Sequence, residues 1–198
     1  MKELVLATAN DHKVEELRQL LADKGWMILS LRDFPDVVLP PEEGDTFEEN
    51  AIIKAQAVQK ATGKMAMADD SGLEVDYLGG APGIFSARFA GENKDSASNN
   101  TKLLALLAGV EDERRQANFT CAIALAFPDG RLQVREGCCS GRIAHEPVGE
   151  GGFGYDPIFY LPEYNCTMAQ LSAKEKNLIS HRSRALAGIL PILEAELA

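Results

Sequence analysis

Short apolar runs alternate with helical periodicities along the first third of the chain. KELVLAT reads as a buried strand. In DHKVEELRQLLADKG, Val14, Leu17, Leu20 and Leu21 recur at helical spacing, and Gly25 marks the expected stop. WMILSL predicts a second strand. Residues 32–45 form a loop rich in proline and acid, with Pro35, Pro40 and Pro41. TFEENAIIKAQAVQKATG then predicts a helix, with Thr46 and Glu49 as a capping box and Gly63 closing the far end.

The middle of the chain turns to period two. KMAMAD and LEVDYL are strand-like and flank the adjacent Asp69 and Asp70, and Ser71-Gly72 predicts that the first strand ends there. GGAPG reads as a turn and NNTKLLALLAG as a helix. In QANFTCAIALAFPDGRLQVREG, Phe119, Cys121, Ile123, Leu125 and Phe127 alternate and Asp129-Gly130 marks a hairpin turn. GEGGFGYDP is a glycine-rich loop. From about Ser172 the chain is mostly helical, with Pro191 as a candidate kink. Interleaved helices and strands with a central hairpin favour a mixed α/β fold over a purely parallel doubly wound sheet. No repeat, low-complexity tract or linker interrupts it.

Composition narrows the function. The chain has 198 residues, 45% hydrophobic and 25% charged, which suits one large domain or two small lobes. The formal net charge of -10 argues against non-specific binding to nucleic acid or an anionic membrane, which needs a basic face. A small anionic ligand stays open to it through a local cluster of cations. Cys121, Cys138, Cys139 and Cys166 form no C-x-x-C pair, so the expectation is reduced thiols and no zinc. The apolar run of MKELVLATAND is too short for a signal peptide, and no segment reaches 18 apolar residues. A cytoplasmic protein is expected.

Several stretches carry candidate chemistry, and each has a plain alternative. ATANDHKVEEL places Thr8, Asn10 and Lys13 between strand and helix. A lysine in the first turn opposes the helix dipole unless an anion sits beside it; the alternative is a solvated lysine. PPEEGDTFEEN supplies Glu42, Glu43, Asp45, Glu48 and Glu49, and Asp69-Asp70 supplies a further pair. Hard oxygens at a strand end suit Mg²⁺, with one carboxylate holding metal while its neighbour accepts a proton from water. The alternative is an Asx-type turn with a solvated flank. In GEGGFGYDPIF, four glycines within six residues let backbone approach a ligand, while Phe153 and Tyr155 can stack on a base; otherwise it is a flexible loop. AKEKNLISHRSRA gathers Lys176, His181 and Arg182, which share a face only if the helix breaks near Ser180; otherwise it is a solvated cationic face. GGAPGIFSARFAG adds Ser86 and Arg88, as site residues or as a tight turn with a surface arginine.

Taken together, these motifs resemble the Ham1-like inosine triphosphate pyrophosphatase family. The matching stretches are LATANDHKVEEL, TFEENAIIKA, ADDSGLEVDYLGGAPGIFSARFAG, GEGGFGYDPIF and EKNLISHRSRAL, in family order over nearly the whole chain. Thr8, Asn10 and Lys13 match the family's T-x-N-x-x-K motif, and Glu42 takes the place of its metal-side acid. The resemblance implies a single Ham1-like domain over residues 1–198, with a mixed β-sheet, flanking helices and two lobes around a central substrate cleft. It implies Mg²⁺ at Glu42, Asp69 and Asp70, with Asp70 as proton acceptor. It implies substrate contacts from Thr8, Asn10, Lys13, Ser71, Phe153, Gly154, Tyr155, Asp156, Lys176, His181 and Arg182, and it implies a homodimer.

The activity so implied is hydrolysis of non-standard purine nucleotides (ITP, dITP, XTP) to the monophosphate and pyrophosphate. Donors such as His181 and Arg182 would suit a 6-keto purine and face another donor in ATP. Phe153 would stack on the base. A Maf-like pyrophosphatase of different base preference, a nucleotide-binding regulator without the chemistry, and an RNA-binding module are the alternatives. The charge of -10 speaks against the last.

Overall fold

The buried aliphatic runs become parallel strands. A computed structural model, which describes residues 2–197, places strand β1 at Lys2–Leu6, helix α1 at Asp11–Leu20, β2 at Trp26–Ser30 and α2 at Phe47–Thr62. Then come β3 (Met65–Val75), α3 (Ser96–Leu106), β4 (Gln116–Ala126) and β5 (Leu132–Ile143). Two short strands, β6 (Phe159–Leu161) and β7 (Cys166–Thr167), precede α4 (Ala173–Ile179) and α5 (His181–Leu197). One mixed seven-stranded sheet runs in the order β2-β1-β3-β4-β5-β6-β7. β1 pairs in parallel with both β2 and β3, and β6 pairs antiparallel with β5 and β7.

The chain divides into two compact units, residues 1–70, 121–137 and 182–198 in the first, and 71–120 and 138–181 in the second. In the first unit the strand period sorts side chains onto two faces. Leu4, Leu6, Met65, Met67, Cys121, Ile123 and Leu125 pack with Val14 and Leu17 of α1 and with Ala185, Leu186, Ile189 and Leu193 of α5. The intervening residues Val5, Ala66, Ala68, Ala122 and Ala124 are also buried and small, as are Ala51 and Ala55 of α2. The second unit has its own core. Leu73, Val75, Leu103, Leu107, Phe119, Ile143, Tyr155, Ile158, Phe159 and Met168 pack together, with Ile179 of α4 against them. Arg115 is buried there with its guanidinium bonded to the carbonyls of Leu107, Ile143 and Ala144.

Four expectations need correction. β3 does not stop at the aspartates; it runs through Asp69, Asp70, Ser71 and Gly72 to Val75. Ladder pairing overrides the turn preference of Ser-Gly. β5 continues past the expected hairpin end through the adjacent cysteines to Ile143. α1 ends at Leu20, and Gly25 (φ +80) instead lies just before β2. Thr46 does cap α2, accepting from Glu49 N at 3.1 Å, but the Glu49 carboxylate reaches Asp45 N at 2.7 Å rather than the Thr46 amide, so the box is shifted by one residue. The sequence left open whether the helix breaks near Ser180; it does, and this extended residue separates α4 from α5.

Cys121 is fully buried, and that burial, with the Asp69 charge second, pushes its thiol up to about 12. Cys138 is exposed. Iodoacetamide near neutral pH should therefore alkylate Cys138 in the native protein and reach Cys121 only after denaturation, as read by peptide mass spectrometry. Native-state labelling of Cys121 would contradict this packing.

Candidate active site

The alternation along β3 decides what the two aspartates meet. Successive side chains on a strand point to opposite faces, so Asp69 shares the face of Met65 and Met67, and Asp70 that of Ala66 and Ala68. Asp69 Oδ2 accepts from Lys13 Nζ of α1 at 2.9 Å and from Arg182 Nη2 and Nε of α5 at 3.0 and 3.2 Å. Arg182 also pairs with Glu16 of α1. Asp70 Oδ1 accepts from Lys54 Nζ of α2 at 2.7 Å, and the same ammonium donates to Glu42 Oε1 at 2.8 Å.

The two carboxylates differ electrostatically. Burial alone would push Asp69 up, but the Lys13 and Arg182 charges more than reverse it and hold this carboxyl well below its ordinary range. For Asp70 burial is the largest influence. Lys54 and Lys13 oppose it without overcoming it, and its pKa is raised. Burial works against the charge of Lys54, yet Asp70, Asp69 and Glu42 outweigh it and raise its pKa.

The loop before α1 is held by its own side chains. Asn10 caps the helix, accepting from His12 N and Lys13 N at 3.0 and 3.3 Å, and its own amide donates to Thr8 Oγ1 at 3.2 Å. The anion beside the first-turn lysine is the Asp69 carboxylate.

In the second unit, the glycine-rich loop closes on Asp156. Asp156 Oδ2 accepts from Phe153 N at 2.8 Å and from Lys176 Nζ at 2.7 Å. The same ammonium lies 4.7 Å from the centroid of the Phe153 ring. Gly152 has φ +69, and a Cβ there would collide with Asp156 Oδ2. Asn100 Nδ2 donates to Gly154 O at 3.1 Å, and the buried Tyr155 hydroxyl donates to Ser86 O at 2.8 Å. His181 stacks on Phe119 with centroids 4.8 Å apart and planes 19° from parallel.

The sequence candidates thus sort into two clusters. Thr8, Asn10, Lys13, Glu42, Asp69, Asp70 and Arg182 belong to the first unit; Ser71, Phe153, Gly154, Tyr155, Asp156, Lys176 and His181 belong to the second. Lys54, Glu16 and Asn100 were not anticipated. Lys54 left a trace: it falls at helical spacing among Ala51, Ala55 and Val58, a lysine inside a buried stripe. Glu16 left none beyond its place three residues after Lys13.

Among the described residues no group of three or more His, Cys, Asp or Glu is placed to hold a metal ion. Glu42 and Asp70 nevertheless converge on a single ammonium. Two hard oxygens directed at one small cation fit Mg²⁺, which is commonly held by one or two carboxylates together with substrate phosphates.

Comparison with known proteins places this geometry in context. The model of the Ham1 family matches residues 4–192. A curated protein named dITP/XTP pyrophosphatase from Desulforamulus reducens is 55% identical over 190 residues, covering 96% of this chain and 94% of that protein. One of the same name from Bacillus subtilis is 50% identical over 195 residues, 98% of each. The solved Ham1 protein of Staphylococcus aureus superposes with TM-score 0.87 at 45% identity, covering 98% of this chain and 100% of that one. The Ham1 protein of Coxiella burnetii gives 0.88 at 44%, with 98% of each chain covered.

Asp69→Asn should leave Lys13 and Arg182 facing a neutral group in a buried site and cost about 3–5 kcal/mol near neutral pH. A carboxyl whose pKa is lowered on folding stabilises above its unfolded value, here 3.8, and loses that contribution as pH falls below it. Urea unfolding should therefore show a gap between wild type and variant that is full above about pH 4 and narrows below it. Gly152→Ala should cost roughly 1–3 kcal/mol through its left-handed backbone and the collision with Asp156. An unchanged urea midpoint would contradict the loop geometry.

Proposed function

The chain belongs to the Ham1 family, and on that premise we propose that it is a nucleoside-triphosphate pyrophosphatase converting dITP, XTP and ITP to their monophosphates and pyrophosphate. Relatives named dITP/XTP pyrophosphatase at 55% and 50% identity over nearly the whole chain support the substrate class. The observation that carries the chemistry is Asp70: a mostly buried carboxylate of raised pKa, with one oxygen held by Lys54. A general base works best with a pKa moved towards the working pH.

In this reading Thr8, Asn10, Lys13 and Ser71 handle the phosphates. Asp70 Oδ2 takes a proton from water as the water oxygen bonds to the α-phosphorus. The bond from that phosphorus to the bridging oxygen breaks, and pyrophosphate leaves with the electron pair. Lys54 fixes Asp70 and Glu42 in place. Asp69, Arg182 and Glu16 fix Lys13. Mg²⁺ bound at Glu42 and Asp70 would supply positive charge to the phosphate oxygens. Phe153, Gly154, Tyr155, Asp156 and Lys176 form the purine side, and His181 donates to the 6-keto oxygen. A site built around such a hydrogen bond can reject a misfit by ~10⁴–10⁵-fold.

The two units are proposed to work as one domain. The family resemblance supports a cytoplasmic homodimer. No helix among the described residues is long and apolar enough to cross a membrane.

A panel of nucleoside triphosphates assayed for products tests the reading. Monophosphate plus pyrophosphate, with dITP and XTP preferred over ATP, is expected; diphosphate plus phosphate would overturn it. Asp70→Asn should lower kcat by ~10²–10⁴-fold. Because the base must be ionised, wild-type kcat/KM should rise with pH through a pKa above 3.8, and that acidic limb should vanish in Asp70→Asn. A variant with normal kcat would remove Asp70 from this role.

A further inference from the structure

Helix α3 carries two adjacent buried asparagines with different fates. Asn99 is satisfied at both ends: Oδ1 accepts from Ala90 N at 2.6 Å and Nδ2 donates to Ala87 O at 3.0 Å. Asn100 is satisfied at one. Its Nδ2 donates to Gly154 O at 3.1 Å, while its Oδ1 is buried and receives no hydrogen bond among the described residues. Asparagine is a poor helix former, and an unpaired buried oxygen adds a further cost. Leucine would remove the unpaired oxygen and the poor helix former, at the cost of a larger side chain and of the donor to Gly154 O. A side chain retained at such a cost points to a task other than stability.

The task is visible in what Asn100 holds. Gly154 lies at φ +65 between Phe153 and Tyr155. Asp156 ties down the Phe153 amide, and the Tyr155 hydroxyl anchors to Ser86 O. Asn100 fixes the carbonyl between those two ties and so sets the orientation of the peptide joining Gly154 to Tyr155. We propose that Asn100 is a positioning residue for purine selection, holding residues 153–156 in the form that reads the base. This rests on the reading of that loop as the purine side given above. Asn100 does not itself touch the purine; it acts through Gly154.

Asn100→Leu tests this, with Asn100→Ala as a second variant should leucine fail to fold. Three quantities are read: the melting temperature, amide hydrogen exchange across residues 153–156, and kcat and KM for dITP and dGTP. Loss of one hydrogen bond corresponds to about a 5- to 10-fold effect. Expected for Asn100→Leu are a folded protein with at most a modest change in melting temperature, exchange faster by about that factor, KM for dITP raised similarly with kcat little changed, and a reduced preference for dITP over dGTP. Unchanged exchange would show that Asn100 does not hold the loop and overturns the inference, whatever the activity. Faster exchange with an unchanged preference overturns the role in selection. Wild-type protein inert towards dITP would overturn the nucleotide reading and purine selection with it, a failure distinct from unchanged exchange.

Discussion

Two neighbouring residues on a strand cannot face the same way, and that constraint organises the charged centre of this protein. β3 carries Asp69 and Asp70 through the sheet without a break, so one carboxylate enters each layer of helices. A buried carboxylate without a partner is expensive, and each face answers with cations from a different part of the chain. Lys13 and Arg182 meet Asp69; Lys54 meets Asp70. Had the strand ended at Ser71, both carboxylates could have turned to one side and shared a single set of partners.

The division has a chemical consequence. Two cations keep Asp69 ionised against the effect of its full burial, which suits a group that fixes the positions of Lys13 and Arg182. Asp70 shares one lysine with Glu42, and burial leaves its proton affinity raised, which suits a group that must accept a proton. Identical side chains one residue apart thus acquire opposite shifts in proton affinity from their surroundings alone. Small residues accompany this arrangement: Ala51 and Ala55 neighbour Lys54 on α2, and Ala66 and Ala68 share the face of Asp70 on β3.

Much of this was legible in the sequence where the determinant is local. Helix α2 announces itself through Thr46 and Gly63, and the hairpin through Asp129-Gly130. The family was legible because several unusual stretches recur in order. What could not be read depends on partners distant in the chain. Ser-Gly favours a turn, and only pairing with neighbouring strands keeps β3 straight through it. Lys54 stands out as a lysine among small apolar neighbours on its helix, but its partners, Asp70 16 residues on and Glu42, are not local. Nothing near Arg182 in the sequence announces that its guanidinium is bonded to Asp69, 113 residues away.

The fate of the attacking oxygen tests the proposed chemistry most directly. dITP hydrolysed in oxygen-18 water should yield labelled deoxyinosine monophosphate and unlabelled pyrophosphate, because the water readied at Asp70 attacks the α-phosphorus. Label appearing in pyrophosphate, or release of the diphosphate with labelled inorganic phosphate, would contradict attack at that atom and with it the role assigned to Asp70.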